Sequence, residues 1–205
     1  MSINIELNTK EINIEICKNT LNMLYMRKLI DNTKLMFDSI HDQINNKVSI
    51  DFLLNNNIKC SIYILNIKLT SIIQGTPLDI FLSNNNDVKK IIVIKDFAKK
   101  VAKQIFFEYK NAEIFFEHEL LEDISKKIII PEHQLLIKEE KEELFNKFKK
   151  SELSKIHTTD MMARYYNAKI DDVFRIIRPS LTSGKSIVYR IVIEGPLDNI
   201  SNCNP

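Results

Sequence analysis

Three short stretches pair an acidic residue with a lysine two positions later, a spacing that magnesium-dependent nucleases use beside a strand. They are Asp87-Val88-Lys89, Glu108-Tyr109-Lys110 and Glu139-Glu140-Lys141. With 27 acidic residues and 24 lysines among 205 positions, chance alone produces about three such pairs, so their number carries no information. A nuclease stays open as an alternative, and it predicts magnesium-dependent cleavage that is lost when Asp87 or Lys89 is changed.

The sequence gives little indication of a metal-binding or cofactor-binding site. The four histidines and three cysteines are widely spaced, and no pair has the spacing of zinc ligands. His133 follows Pro131 and fits a hydrogen-bonded turn better than a metal site. Three glycines are too few for a phosphate-binding glycine loop. We therefore expect no catalytic residue, no metal and no cofactor, and the unpaired cysteines indicate a reducing, intracellular environment.

Four lysines gather near the start of a predicted helix, where free backbone N–H groups attract phosphate. They are Lys95, Lys99, Lys100 and Lys103. Asp96, the predicted cap of this helix, partly cancels the attraction. The alternative interpretation is a solvated helix face. The net charge of the chain is only +2, so any contact with nucleic acid is expected to be auxiliary.

The elements that carry these residues differ between the two parts of the chain. Apolar spacing predicts a helix over 9–30, a short helix over 49–54 capped by Ser49, and a strand over 58–65. A buried strand over 91–94, a helix from Phe97 to about Lys110 and a strand over 113–116 follow. This order predicts an α/β domain with a small sheet and flanking helices, spanning residues 1–130. No apolar run is long enough to cross a membrane.

Pro131 marks the predicted domain boundary, because proline continues neither a helix nor a central strand. Beyond it we predict a strand over 135–137, a charged helix over 138–150 and a short helix over 161–166 capped by Asp160. Asn167 occupies the left-handed position after that helix. Two strands, 173–178 and 186–193, complete a small α+β domain over 131–205, whose marginal core would benefit from a partner.

The second domain resembles the assembly domain of RNA polymerase subunit 5, a family that also has archaeal members. The resemblance follows the order and spacing of several short motifs over about 60 residues. They are Pro131-Glu132-His133, the charged segment Lys138–Leu144, Ala163-Arg164-Tyr165-Tyr166, Ile176-Ile177-Arg178-Pro179-Ser180, and Tyr189-Arg190. This chain departs from the family's pattern at four places. It has Met161-Met162 where the family has Pro-Val, Asn167 where the family has Gly, Leu181 where it has Glu, and Ser183 where it has Ala.

The first domain resembles the jaw domain of the same family more faintly. Ile91-Ile92-Val93 followed by a helix, and then Glu119-Leu120-Leu121, keep the family's order, but Lys95-Asp96-Phe97-Ala98 stands where the family has a T-P-S-A loop. Archaeal members lack this domain, so the resemblance implies a eukaryotic or viral enzyme. The Ile-, Asn- and Lys-rich composition indicates an AT-rich genome, such as that of a protozoan or a large DNA virus. The resemblance allows a large cytoplasmic DNA virus such as an asfarvirus or mimivirus, because these viruses resemble eukaryotes in having the jaw domain.

The resemblance implies a non-catalytic polymerase subunit in a hetero-oligomer. Its assembly domain would dock on the largest subunit, and its jaw would contact downstream duplex DNA weakly and without sequence preference through the four lysines. The expected docking residues are Arg164, Tyr165, Arg178, Pro179, Ser180, Thr182, Gly184 and Arg190. A viral enzyme implies the host cytoplasm and the virion, and a cellular one the nucleus. A stand-alone DNA-binding regulator remains an alternative, which predicts salt-sensitive DNA binding by the isolated chain.

Overall fold

A computed structural model describes residues 8–44, 46–47, 49–84, 87–109, 111–124, 127, 129–180 and 184–196. The chain divides into two compact units, Met1–Asp123 and Ile124–Pro205. Each unit combines one mixed four-stranded sheet with helices. This confirms the mixed α/β character expected from the sequence. The boundary placed at Pro131 stays a prediction.

The first unit is built on a sheet with strand order β1-β2-β3-β4. The strands are β1 (Ile50–Leu53), β2 (Lys59–Leu69), β3 (Lys89–Phe97) and β4 (Ala112–Phe116). β1 runs antiparallel to β2, whereas β2, β3 and β4 are parallel. The four residues Ile91–Ile94 of β3 are all fully buried, as the continuous apolar run predicted.

Five helices accompany this sheet: α1 (Thr9–Met26), α2 (Thr33–Ile44), α3 (Pro77–Ser83), α4 (Lys99–Glu108) and α5 (Glu117–Leu121). α1 begins at a capping box, in which Asn8 and Glu11 each accept a hydrogen bond from the other's backbone N–H. The buried Asn19 amide donates to the carbonyls of Leu120 and Leu121 at 3.0 and 3.1 Å. This bond pair fixes α5 against α1, because the last carbonyls of a helix need outside donors.

A buried lysine fastens α3 to the sheet. Lys90 is 4% exposed, and its ammonium donates to the carbonyls of Leu82, at 2.6 Å, and of Asn84 at the end of α3. These are carbonyls that α3 leaves without helical partners. Burial lowers the pKa of Lys90.

Two sequence predictions in this unit are wrong. Residues 49–54 do not form a helix, because Ile50 and Phe52 alternate into the core as part of β1. Asp96 and Phe97 do not start a helix either, since both belong to β3. Asp96 lies 2.6 Å from the Lys68 ammonium on β2, and the Phe97 ring stacks on Phe116 with centroids 4.0 Å apart. α4 starts two residues later, and its cap residue Ala98 provides no side-chain bond.

The second unit has the strand order β5-β7-β8-β6. The strands are β5 (Glu132–Leu135), β6 (Ser154–His157), β7 (Val173–Ser180) and β8 (Gly184–Ile193). β7 pairs antiparallel with β5 and β8, and β6 pairs parallel with β8. The helices are α6 (Lys138–Lys147), a 3-10 turn (Lys150–Glu152) and α7 (Met161–Tyr165).

The sheet of the second unit carries apolar packing on both faces. On one face, Ala163 of α7 packs with Phe174, Ile176 and Val192. On the other face, Leu144 of α6 packs with Val173, Ile191 and other apolar residues. Successive residues of β7 therefore belong to different cores, as expected when both faces of a strand are covered.

The predicted α6, α7, β7 and β8 are confirmed with small changes at their ends. The strand predicted over 135–137 is wrong in position, because pairing with β7 runs from Glu132 to Leu135 and Ile137 already caps α6. Asp160 accepts a hydrogen bond from the Met162 N–H at 2.8 Å and caps α7, as predicted. Asn167 has a φ of 52°, in the left-handed region predicted for it.

The left-handed turn at Asn167 generates a stability prediction. Asn167→Gly should keep the free energy of unfolding within about 0.5 kcal/mol, since glycine adopts this φ without strain. Asn167→Val should lower it by about 1–2 kcal/mol. Urea unfolding would measure both. Glu143→Gly is the matched control: this residue lies exposed in the middle of α6, where glycine should cost roughly 0.5–1 kcal/mol. Equal losses for glycine at both positions would contradict the turn argument.

Candidate functional site

The strand register brings several of the predicted docking residues to one face of the β7–β8 hairpin. Arg178 pairs with Ser186, Ser180 with Gly184, and Phe174 with Arg190. Since paired residues of antiparallel strands share a face and alternate residues repeat it, Arg178, Ser180 and Arg190 lie on the same side. We call this side, together with His133 of β5, the arginine face. Pro179 lies on the opposite side of the sheet.

α7 covers the other end of the arginine face. Arg164 is half-buried, while the Tyr165 side chain is only 2% exposed and contributes to the core. Gly184 has a φ of 72° and nothing within 4 Å of an added Cβ, so this glycine serves the turn conformation rather than a close contact. Thr182 lies outside the described residues. The docking role of all these residues stays a prediction.

His133, on the outer strand β5, lies at the edge of the arginine face, and sequence reasoning did not connect it with the arginines. Its Nδ1 lies 2.7 Å from the Pro131 carbonyl oxygen, and its ring meets the Phe174 ring edge-on, with centroids 5.8 Å apart. Burial lowers the pKa of His133, and the positive charges of Arg190 and Arg178 lower it further. The bond to Pro131 and the nearby Asp160 carboxylate oppose this shift without reversing it. The imidazole is therefore neutral near pH 7, and Nδ1 carries the proton that Pro131 accepts.

Two arginines of the β7–β8 hairpin differ in their hydrogen bonding. Arg175 lies on the side opposite the arginine face, 2.8 Å from a Glu140 oxygen and 3.4 Å from the Gln134 oxygen, so its guanidinium is satisfied within the unit. Arg190 is half-buried, and its Nε atom is buried without a hydrogen-bond partner among the described residues. A buried donor of this kind costs free energy unless something supplies an acceptor.

The lysines expected to contact phosphate lie on two elements of the first unit. Lys95 is on β3, whereas Lys99, Lys100 and Lys103 are on α4. All four side chains are exposed, and the other side of α4 is buried through Val101, Ala102 and Ile105. The exposed side of α4 is therefore basic in its first half and continues into the exposed Phe106 and Phe107.

The acidic residue and lysine most suggestive of a nuclease have different surroundings in the structure. Asp87 is exposed, whereas Lys89 lies 3.0 Å from Glu113 of β4. Arg27 donates to both Glu113 oxygens, at 3.0 and 2.8 Å. Two cations thus neutralise Glu113, and a magnesium ion would have to displace them. The second unit also contains a partly buried ion pair, in which the Lys141 ammonium lies 2.8 Å from an Asp172 oxygen.

Metal-binding clusters and membrane spans are both absent from the described ranges. These ranges contain no group of three or more histidine, cysteine, aspartate or glutamate side chains placed to hold a metal ion. None of the helices described is long and apolar enough to span a membrane.

Comparison with known proteins gives a consistent set of relatives. Residues 122–192 match the family model of the C-terminal domain of RNA polymerase Rpb5. The chain is similar to DNA-directed RNA polymerase subunit 5 of Acanthamoeba polyphaga mimivirus, at 38% identity over 128 residues, or 62% of each chain. It is also similar to the DNA-directed RNA polymerases I, II, and III subunit rpabc1 of Dictyostelium discoideum, at 39% identity over 112 residues, covering 51% of this chain and 57% of that one.

Archaeal relatives match a shorter region more completely. DNA-directed RNA polymerase subunit Rpo5 of Thermofilum pendens is 44% identical over 75 residues, which cover 36% of this chain and 94% of the archaeal protein. The match to the viral and amoebal relatives, in contrast, spans only about three fifths of their length.

The Glu113 ion cluster predicts a pH-dependent stability. Burial alone would raise the pKa of Glu113, but Arg27 and Lys89 together hold it below its usual value. A lowered folded-state pKa stabilises the fold above the unfolded pKa of about 4.3, and this stabilisation is lost as the pH falls through the folded pKa. Glu113→Gln should therefore lower the free energy of unfolding by about 3 kcal/mol at pH 7 and flatten its decline in acid.

Urea unfolding between pH 7 and pH 3 would test this. Glu15→Gln is the control, because Glu15 pairs with Lys18 on the surface of α1 and its loss should change stability by less than about 0.5 kcal/mol. An unchanged acid dependence in Glu113→Gln would refute the role given to the cluster.

Proposed function

Because the chain belongs to the RNA polymerase subunit 5 family, we propose that it is a non-catalytic subunit of a multisubunit DNA-dependent RNA polymerase. The match of residues 122–192 to the Rpb5 C-terminal domain carries this proposal. The second unit is then the assembly domain and the first unit the jaw domain. The pairing of Lys89 with Glu113 counts against the nuclease alternative, in which Lys89 would act together with Asp87.

The assembly domain is proposed to dock on the largest polymerase subunit through the arginine face. One general property of arginine and one observation support the choice of this face. Arginine is favoured in protein interfaces because its planar guanidinium makes paired hydrogen bonds and sheds water readily. The face also carries the one arginine Nε that is buried without a partner in the described part of the chain.

The jaw domain is proposed to support downstream duplex DNA weakly and without reading its sequence. The exposed lysines Lys95, Lys99, Lys100 and Lys103 would contact phosphates, which position a protein on DNA but carry no sequence information. A net charge of +2 for the whole chain fits an auxiliary contact better than independent DNA binding. The subunit would act in the host cytoplasm and virion if the enzyme is viral, and in the nucleus if it is cellular.

Co-purification tests the proposed function. The full chain, carrying an affinity tag, should purify in a one-to-one ratio with the largest polymerase subunit when expressed in its own biological context. Mass spectrometry of the complex would measure the partners and their ratio. A tagged, unrelated protein of similar charge controls for non-specific capture. A partner list without the two large catalytic subunits would overturn the proposal, and salt-sensitive DNA binding by the chain alone would favour the stand-alone regulator instead.

Substitution of the lysines tests the DNA contact. One variant replaces the four lysines together by Gln, at Lys95, Lys99, Lys100 and Lys103. The assembled polymerase that carries this variant should bind downstream duplex DNA more weakly. The slope of log K against log salt should fall by roughly 1 for each phosphate contact that is lost. The matched control changes four exposed lysines on and beside α1 and α2, Lys10, Lys18, Lys34 and Lys47, to Gln. Equal effects of the two sets would mean that the lysines act only through total charge.

A further inference from the structure

The outer side of β8 is covered by a neighbouring strand over only part of its length. β7 pairs with β8 from Gly184 onward, whereas β6 pairs only with Arg190–Ile193. Among the strands that the structure describes, residues 186–189 therefore have a neighbour on one side alone, and we call their uncovered side the open edge. We propose that an extended, acidic segment of the largest polymerase subunit joins the sheet at the open edge as an added strand. This inference rests on the proposed function, because it names how that partner is held.

Hydrogen bonds near the open edge show which backbone groups point outward. The Val192 N–H donates to the Asp172 carbonyl, just before β7, at 2.7 Å, so the backbone groups of Val192 face the β7 side. Consecutive residues of a strand direct their N–H and C=O groups to opposite sides. Since the register between β7 and β8 is continuous, both backbone groups of Ile187 and the N–H of Tyr189 face outward. None of these three groups bonds to a described residue on that side.

The other uncovered end of the hairpin is protected against strand pairing. β5 pairs with β7 only over Phe174–Ile177, and Pro179 lies beyond it. The Val173 carbonyl accepts from the Leu136 N–H on the β5 side at 2.9 Å, and Pro179 lies an even number of residues later, so its backbone also faces that side. Proline has no N–H and blocks pairing at sheet edges. The hairpin carries this protection on one edge and lacks it at Ile187 on the other.

The side chains along the open edge suit a strand partner. Ile187 is 54% exposed, and it lies opposite the half-buried Ile177 of β7. Val188 and Tyr189, which follow it, are half-buried. β-branched and aromatic residues of this kind pair favourably across strands. An apolar side chain of an added strand would cover Ile187, which the free chain leaves in contact with water.

The charge of the hairpin selects an acidic strand. β7 and β8 contain four basic residues and no acidic one: Arg175, Arg178, Lys185 and Arg190. Arg175 pairs with Glu140 of α6. The remaining positive charge favours a strand with acidic residues beside its apolar centre, since opposite charges on adjacent strands attract. A second copy of the hairpin would bring like charges together, which disfavours pairing between two copies of this chain.

Amide hydrogen exchange of the full chain, free and bound to the largest subunit, tests for the added strand. The N–H groups of Ile187 and Tyr189 should exchange rapidly in the free chain and at least about tenfold more slowly in the complex. Val188 is the internal control, because its N–H faces β7 and should exchange slowly in both states. The largest subunit should gain protection in a segment of about five residues that includes an acidic one. A protected segment without acidic residues would contradict the charge argument.

A binding titration with the largest subunit tests the backbone contact by substitution. Ile187→Pro removes the outward N–H and should raise Kd at least about tenfold. Ile187→Val is the matched control, since it keeps the N–H and a β-branched side chain, and its Kd should stay within about twofold of wild type. Equal Kd values for the two variants would overturn the inference.

A thermal melt of the free chain separates docking from folding. Ile187→Pro removes no bond to β7 and should unfold close to the wild-type temperature, whereas Val188→Pro removes such a bond and should unfold at a clearly lower one. If Ile187→Pro also unfolds early, the exchange rates of the wild-type amides decide the question.

The remaining outcomes distinguish this inference from the function on which it rests. If the wild-type chain does not bind the largest subunit, the proposed function itself is refuted. If it binds while Ile187 and Tyr189 exchange as fast as in the free chain, the function stands and the added strand is refuted. If their exchange slows with rising concentration of the free chain alone, a second copy occupies the open edge and the inference is again wrong.

Discussion

The register between β7 and β8 is the constraint on which the second unit depends. In this register Phe174 and Ile176 enter one core while Val173 enters the other, and Arg178 and Arg190 share a face. A shift of one residue would exchange the two faces of β7 and place Arg175 among apolar side chains. Burial on both sides makes that shift very unfavourable. The same packing energy that specifies the fold therefore also holds the two arginines in place.

The first unit depends in a comparable way on β3, which lies between two parallel neighbours and is fully buried over four residues. Charged groups surround this apolar strand and fix the elements next to it. Lys90 holds the end of α3, and Arg27 joins α1 to β4 through Glu113. Unpaired, each of these buried ions would be costly, so the pairings make the arrangement of helices around the sheet specific.

Sequence reasoning succeeded where a local pattern and the tertiary packing agree. The apolar run at Ile91–Ile94, the cap at Asp160 and the left-handed Asn167 were all predicted from the residues alone. It failed at Asp96, whose type suits a helix cap but whose carboxylate pairs with Lys68 across strands. It also missed β6, because four residues with one buried isoleucine give no recognisable alternation. α3 was missed although Thr76 and Pro77 form a usable start signal.

The sequence identified individual residues of the candidate site but not their arrangement in space. Arg178 and Arg190 stand in short motifs, but their shared face follows from the hairpin register, which depends on a turn that spacing alone does not fix. The link of both arginines to His133 required the position of β5, more than 40 residues away in the chain. Long-range pairing of this kind leaves no local signal in a single sequence.

The two outer strands of the second sheet, β5 and β6, are each only four residues long. Outer strands display unpaired backbone groups, and a long flat one invites a second molecule to add itself to the sheet. Strands this brief present few such groups, which limits self-association of newly made chains. If the chain assembles with a larger polymerase subunit as proposed, this arrangement lets it accumulate before assembly without forming aggregates.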